Sequence, residues 1–404
     1  MPSRETTNRD TFPGNTKLSF NNTEVAFRSK SDADLERAYW LFKLISNNFL
    51  VRIGTPITNS ALKIGLPIEG IIRKTIFKHF CGGENIEDCK EAISTLNSHK
   101  VGTILDYSIE GEDSEKEFDS TYKEILRTVD YAAQHRNAIP FAVFKPTGLG
   151  RFGLFEKIDA GEKLTDEEKQ EFEHVRARFD GICNLSHEKK VKVLIDAEHS
   201  WIQNVLDDLV REMMRKYNRE EVIVFQTYQL YRHDKLASLK ADFYLAQTEG
   251  FYLGAKLVRG AYMEIERERA AEKGYPSPIQ PDQKATNRDY NEAMLFCLEH
   301  LERINLMAGT HNEESSQILV NAMEEKGLAP DDKRIYFAQL LGMSDHISFN
   351  VASHGYNAAK YMPYGPVKSV MPYLFRRAQE NTSVAGQTGR ELALIKQEKA
   401  RRQL

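Results

Sequence analysis

The sequence predicts an α/β fold, a (βα)8 TIM-type barrel over residues 100–404 preceded by an N-terminal helical arm. Three observations predict it. First, eight short apolar, β-branched segments recur: VGTILDYS (101–108), PFAVFK (140–145), VKVLIDAE (191–198), VIVFQTY (222–228), YLGAKLVRG (252–260), INLMAGTH (304–311), RIYFAQLLG (334–342) and AAKYMPYG (358–365). Second, helix-periodic stretches such as DSTYKEILRTVDYAAQHR and NEAMLFCLEHLER separate most of them. Strands alternating with helices need the crossover connections of a parallel sheet. Third, nearly every segment ends in a polar group: Asp106, Lys145, Asp196, Gln226, Arg259 with Tyr262, Thr310 with His311, Gln339, and Tyr361 with Tyr364. The carboxyl ends of barrel strands are where such folds carry their chemistry.

In chain order, residues 1–30 read as a flexible leader. MPSRETTNRDTFPGNTKLSF lacks the apolar core of a secretory signal, and Glu5 and Asp10 make it a poor mitochondrial presequence. Residues 31–99 read as the helical arm. DADLERAYWLFKLISNNF repeats apolar residues at 35, 38, 39, 42, 45 and 49, with Ser31 and Asp32 as candidate N-caps. PIEGIIRKTIFKHF follows and stops at Cys81-Gly82-Gly83. Within the barrel, period-two alternation puts Phe141, Val143 and Lys145 on one face, as it does Val222, Val224 and Gln226, and Ile335, Phe337, Gln339 and Leu341. Each polar residue is thereby expected over the barrel mouth. The link between the last two strands is the least helical. YGPVKSVMPYLFRRAQEN reads as a helix beginning near Pro366, with Pro372 kinking or restarting it. The basic tail GRELALIKQEKARRQL reads as a solvated C-terminal helix.

Composition narrows the function. With 41% apolar and 28% charged residues, the chain has an ordinary globular make-up. Its net charge of 55 − 59 = −4 argues against a general nucleic-acid binder. Cys81, Cys89, Cys183 and Cys297 fit neither a disulfide framework nor a CxxC metal pattern, which favours a reducing compartment. No apolar run approaches the roughly 20 residues that span a bilayer. GLGRFG (148–153) follows a strand without opening a clear helix and reads as a loop, not a nucleotide fingerprint. DAEH (196–199) lacks partners at metal-ligand spacing, so no metal is expected. His311, in GTHNEES, suits a structural role or a cofactor phosphate beside a helix start.

Arg376 and Arg377 are the sharper signal. They sit about 100° apart on a helix, so both reach one site at its edge. Glu380 lies four residues after Arg376 and three after Arg377, within reach of either. Tyr373, Leu374 and Phe375 beside them, and Tyr361 and Tyr364 upstream, point to a small carboxylate in a half-apolar pocket.

From about residue 68 onward the chain resembles the proline dehydrogenase family, in its monofunctional, eukaryotic-type branch. LIDAEHS, FQTYQ, GAKLVRGAYMEIERERA, ATNRDYNEA, YFAQLLGMSDHISF, KYMPYGPVKSVMPYLFRRAQENTSV and GRELALIKQE carry the likeness, in order. The resemblance implies a distorted (βα)8 barrel with noncovalent FAD. It implies oxidation of L-proline to Δ1-pyrroline-5-carboxylate, hydride passing to flavin N5 and electrons onward to a membrane quinone. It assigns the substrate carboxylate to Arg376 and Arg377, assisted by Lys145 and with Glu380 in the same motif. Tyr262, Leu341, Tyr361 and Tyr373 would enclose the ring, and Asp196 matches the active-site aspartate. Lys145, Asp196, Arg259 and Tyr262 are the expected catalytic set. On the FAD side it aligns Asp196, Gln226, Lys256, Val258, Arg259, Gly260, Ala261, Thr286, Thr310, His311, Asn312, Gln339 and Ser383. AKLVRGAYM exchanges the Arg and Lys of the bifunctional relatives, and Met263 stands where they have Trp. Peripheral membrane contact in a bacterial cytoplasm is expected, or a mitochondrial home if the leader is not native. A separate pyrroline-5-carboxylate dehydrogenase would take the product. The alternatives are a hydroxyproline dehydrogenase, another cyclic-amine flavin barrel, and a proline-sensing barrel without catalysis.

Overall fold

All eight expected strands form: β1 (Val101–Tyr107), β2 (Phe141–Phe144), β3 (Lys192–Ile195), β4 (Val224–Gln229), β5 (Leu253–Val258), β6 (Ile304–Gly309), β7 (Ile335–Leu340) and β8 (Ala358–Tyr364). Each pairs in parallel with the next, and β8 closes on β1 from Val101↔Ala358 to Tyr107↔Tyr364. The computed structural model describes residues 18–45, 69–109, 111, 113–383 and 387–404, with backbone alone at 378–383 and 387–388.

The strands are buried on both faces, as parallel strands under a helical ring must be. Ile104, Phe141, Val143, Leu194, Phe225, Met307, Ala338, Ala359 and Tyr361 fill the barrel interior. The alternate residues, among them Leu105, Ala142, Val193, Val224, Ala255, Leu306 and Phe337, pack outward against the helices. Burying each Val, Leu, Ile, Phe or Met side chain among them stabilises the fold by about 1.5–3 kcal/mol. Helix starts follow their local chemistry. Ser114 caps Glu115–Gln134, and Thr165 with Glu168 forms a reciprocal capping box on Asp166–Glu188.

Lys192 closes the bottom of the barrel. Its Nζ lies 5.7 Å from the Phe141 ring centre, 5.8 Å from Tyr336 and 6.0 Å from Phe225, and donates to the Lys333 carbonyl at 2.9 Å. Burial pulls its pKa down to about 8. Replacing Lys192 with Met is therefore expected to stabilise the chain at pH 7 by about 1–3 kcal/mol in urea unfolding. The folded lysine has the lower pKa, so the wild type binds fewer protons than its unfolded chain between about pH 8 and 10.5. Wild-type stability then rises through that window and the variant's advantage shrinks. A variant less stable at pH 7 would mean that cation–ring attraction outweighs desolvation.

Several boundaries differ from expectation. Residues 18–30 are not a free leader: Asn22 caps a short helix, Thr23–Ala26, that packs on Asp345–Ser353, and Ala26 and Phe27 are buried. Ser31, not Asp32, caps Asp32–Ile45, its Oγ accepting the Asp34 N–H at 3.1 Å. The second arm helix is broken by a π-turn, Arg73–Phe77. The GLGRFG segment does open a helix, Phe152–Asp159, after a 3-10 turn at Pro146–Gly148. Residues 367–370 are turns, and the arginine-bearing helix is Met371–Ser383 with Pro372 in its first turn, where a missing N–H costs nothing. The final helix, Gln387–Arg402, is docked rather than solvated. Leu394 and Ile395 are buried in one core with Leu35, Phe42, Val370 and Leu374, while Arg402 bonds the Lys30 carbonyl and Asp32, both at 2.9 Å. Among the described residues, no helix is long and apolar enough to cross a membrane.

Candidate active site

The carboxyl ends of the strands converge as barrel geometry requires. On the inward face, Asp196 follows β3 and accepts two short bonds, from Lys256 Nζ on β5 at 2.6 Å and from the Tyr361 hydroxyl on β8 at 2.5 Å. Lys256 Nζ also sits 4.8 Å from the Tyr361 ring centre. Burial, Asp106 and Asp196 together hold the Tyr361 phenol well above its ordinary pKa, so it stays a donor. Across the mouth, Lys145 Nζ is 3.6 Å from Asp106 Oδ2 and 3.3 Å from Ser108 Oγ. Burial raises the Asp106 pKa; Lys145 opposes that and Asp196 adds to it. Two carboxylates thus face two ammonium groups in a confined, nearly neutral bowl.

The two arginines each lie over a tyrosine ring, and one of these rings, Tyr373, neighbours Tyr361. Arg377 is 7% exposed, and its Cζ lies 5.2 Å from the ring centre of buried Tyr373 on the same helix. Arg376 Cζ lies 5.8 Å from the Tyr262 ring centre. Tyr262 is oriented from behind: its ring stacks on His199 at 4.2 Å, and its hydroxyl donates to Glu198 Oε2 at 3.1 Å. Glu198 is 4% exposed and takes a second bond from Thr147 Oγ1 at 2.8 Å. Leu341 follows β7, its N–H donating to the Tyr361 carbonyl at 2.8 Å, and its side chain packs against the outer core. Two cationic forks over aromatic rings suit a small anion with an apolar body.

The remaining strand-end residues form a second, outer rim, which corrects the expected alternation. Gln226 shares its face with Val224 and Tyr228, which pack outward, and Gln339 shares its face with Ile335 and Phe337. Both faces of these strands are apolar, so the pattern carried no phase, and a one-residue slip reverses every side chain. On this rim Arg259 donates to Thr310 Oγ1 at 2.6 Å, Asn287 Oδ1 at 2.9 Å and Ser315 Oγ at 2.9 Å, and lies 4.4 Å from the Tyr290 ring. Gln339 Nε2 donates to the Thr310 carbonyl at 3.0 Å and its Oε1 accepts from Ser348 Oγ at 2.8 Å. Asn312 caps Glu313–Glu325 by accepting the Ser315 N–H at 2.7 Å. His311 Nδ1 lies 2.9 Å from Ser344 Oγ. Burial, then Lys360, Arg377, His346 and Arg259, hold its pKa well below the ordinary value, so the imidazole is neutral. Gln226 is 1% exposed, and neither its amide nitrogen nor its oxygen has a partner among the described residues. A buried amide left unmatched is costly and suits a bound polar ligand.

The other expected residues fall around these two layers. Val258, exposed Gly260 and Ala261 lead from β5 toward Tyr262. Gly260 has φ +133°, and a Cβ there would come within 2.4 Å of the Tyr231 ring, so only glycine fits. Thr286 is buried and spends its hydroxyl on the Asp282 carbonyl at 3.2 Å. Tyr364 points away from the mouth, its hydroxyl 2.8 Å from Thr128 Oγ1 and 3.1 Å from Glu124. The side chains of Glu380 and Ser383 lie outside the described residues. Sequence reading missed Glu198, Asn287 and Ser344. Glu198 had a signal, since it lies two residues past Asp196 in DAEH at the end of β3; the other two act only through long-range contacts.

Comparison with known proteins matches residues 89–390 to the family model described as "Proline dehydrogenase". A Dictyostelium discoideum protein named "Proline dehydrogenase 1, mitochondrial" is 32% identical, over 96% of this chain and 76% of its own length. The human protein of the same name is 43% identical over 59% of this chain and 40% of its own length. The crystal structure of proline utilization A (PutA) from Bdellovibrio bacteriovorus inactivated by N-propargylglycine shares the fold, with TM-score 0.69 and 20% identity, covering 92% of this chain and 40% of that one. The chain therefore spans under half of the human and PutA proteins.

Proposed function

The chain belongs to the proline dehydrogenase family of oxidoreductases, and from that footing we propose that it oxidises L-proline to Δ1-pyrroline-5-carboxylate with noncovalent FAD and passes the electrons to a quinone. The observation that carries this reading is the arginine pair over tyrosine rings, Arg377 over Tyr373, which itself neighbours Tyr361 of the Asp106–Lys145–Asp196–Lys256–Tyr361 cluster. Arg376, Arg377 and Lys145 take the substrate carboxylate, each contact being charge-assisted. Tyr262, Leu341, Tyr361 and Tyr373 enclose the pyrrolidine ring and exclude water. Holding the reacting carbon in place is the protein's main contribution.

The outer rim suits the cofactor. The unmatched Gln226 amide, the Arg259 guanidinium and the capped helix start at His311–Asn312 offer donors for a ring edge and for phosphate oxygens. Lys256, Val258, Gly260, Ala261, Thr286, Thr310, Gln339 and Ser383 complete the proposed FAD contacts. Bound there, the flavin supplies the hydride acceptor. Lys256 sits between Asp196 and Tyr361, where a fixed ammonium favours negative charge developing nearby. The substrate amine must lose a proton before or during oxidation, and neutral His311 adds no competing charge to the rim. A peripheral membrane contact to reach quinone, and a separate pyrroline-5-carboxylate dehydrogenase acting next, complete the proposed setting.

The test is product formation: FAD-loaded chain, L-proline and a soluble quinone analogue are expected to yield the cyclic imine. No imine, with the flavin bound and proline present, would sink the reading.

Substrate choice follows from Tyr361. Its hydroxyl is locked on Asp196 and the residue is 8% exposed, so an added ring hydroxyl meets a filled wall. Proline is expected to exceed trans-4-hydroxyproline in kcat/KM by about 10–100-fold, and Tyr361→Ser to narrow that ratio. Equal kcat/KM in the wild type would favour a hydroxyproline dehydrogenase instead.

A further inference from the structure

The C-terminal helix, Gln387–Arg402, grips the outer rim with two adjacent residues. Arg390 Nε donates to Glu313 Oε1 at 2.7 Å, and its Nη2 to Oε2 at 3.3 Å. Glu391 is 3% exposed, and its Oε1 accepts the backbone N–H of Ser344 at 2.5 Å. His346 stands between them, Nε2 3.0 Å from Glu313 Oε1 and Nδ1 3.9 Å from Glu391 Oε1.

Ser344 is the unusual link. It sits at φ 51°, ψ 41°, the left-handed region that a residue with a Cβ seldom enters, and it is fully buried. Such a conformation persists only where the surroundings impose it. Glu391 does so by satisfying its buried N–H. The Ser344 carbonyl accepts the N–H of Ser348 at 3.1 Å, and its Oγ meets His311 Nδ1 at 2.9 Å. His311 directly precedes Asn312, the cap of the helix whose first residue, Glu313, Arg390 holds. One turn of the last helix thereby braces residues 311–313 from two sides.

We infer that Glu391 is a positioning residue for the cofactor-side rim: it fixes Ser344, and Ser344 fixes the orientation of His311. This rests on the flavin reading above, under which His311 faces the cofactor. Nothing in barrel topology requires a carboxylate here. A helix that merely covered the barrel would be served by Leu394, Ile395 and the Lys399–Glu36 and Arg402–Asp32 pairs.

The test measures FAD affinity by flavin fluorescence on the flavin-stripped full-length chain, and separately the melting temperature of that stripped chain. Glu391→Ala is expected to weaken FAD binding about tenfold or more, and Glu391→Gln, which keeps an oxygen for the Ser344 N–H, to stay within about threefold of wild type. Ser344→Ala, which spares the backbone but removes the bond to His311, is expected to weaken binding comparably. Glu391→Ala combined with Ser344→Ala should then be no more than about threefold weaker than the worse single variant, because both act through His311. Lys399→Ala, which cuts another contact of the same helix, should lower the melting temperature and leave FAD affinity unchanged. Unchanged FAD affinity in Glu391→Ala, or fully additive losses in the double variant, would overturn the inference. A wild type that binds no FAD would instead remove the flavin reading, and the inference with it.

Discussion

Replacing Arg377 with Met is expected to raise KM for L-proline by about 10²–10³-fold while FAD stays bound. A charge-assisted bond contributes about 1.5–3 kcal/mol, and a bidentate pair roughly doubles that, to about two to four decades of affinity; the expected loss lies in the lower half of that range because Arg376 and Lys145 remain to hold the carboxylate. Arg377 should show the larger effect of the two arginines because it is the more buried, and desolvation strengthens its field. Arg376→Met should lie nearer the lower bound. Met keeps an unbranched apolar stem of similar length, so packing changes little while the guanidinium over Tyr373 is lost. The measurement is steady-state KM beside flavin-to-protein absorbance. Equal losses of proline and FAD affinity would mean the arginines hold the helix in place rather than the substrate.

Asp196→Ala carries the other large effect, and it falls on stability and activity together. Asp196 holds Lys256 at 2.6 Å and Tyr361 at 2.5 Å, with side-chain exposures of 16% for Asp196 and 9% for Lys256. Removing one partner of a buried pair leaves the other uncompensated, at a cost of about 3–5 kcal/mol. Activity should fall at least about 100-fold, because both the ammonium and the phenol lose their anchor. Asp196→Ala combined with Lys256→Met should be more stable than Asp196→Ala alone, since the stranded ammonium is gone. Chemical denaturation of the two single variants and the double variant measures the coupling. A double variant whose loss equals the sum of the single losses would show that the pair is not coupled.

The barrel was legible because its strands are β-branched runs fenced by charged helices, and because Asp106, Lys145, Asp196 and Tyr361 stand at strand ends on the inward face. The arginine pair was legible as two adjacent guanidiniums in apolar company. The phase of β4 and β7 was not, since Val224, Gln226, Ile335 and Gln339 lie in segments apolar on both faces. The helix Asp345–Ser353 escaped for a related reason: residues 345–352 are all buried, so no polar stripe marks its period. The docking of the last helix joins Leu394 and Ile395 to the core of Leu35 and Phe42, and pairs Lys399 with Glu36 and Arg402 with Asp32. Those partners are far apart in the chain, and local periodicity carries no information about them. Glu391 was visible within GRELALIKQE, but its role depends on Ser344, whose left-handed backbone leaves no mark on the sequence.

The most direct test of proline oxidation at this site is anaerobic addition of L-proline to the purified, FAD-loaded chain, followed in the visible flavin absorbance. Bleaching that saturates with L-proline and is lost in Arg377→Met at the same concentration is the expected result. A flavin band that persists at saturating L-proline in the wild type would contradict it.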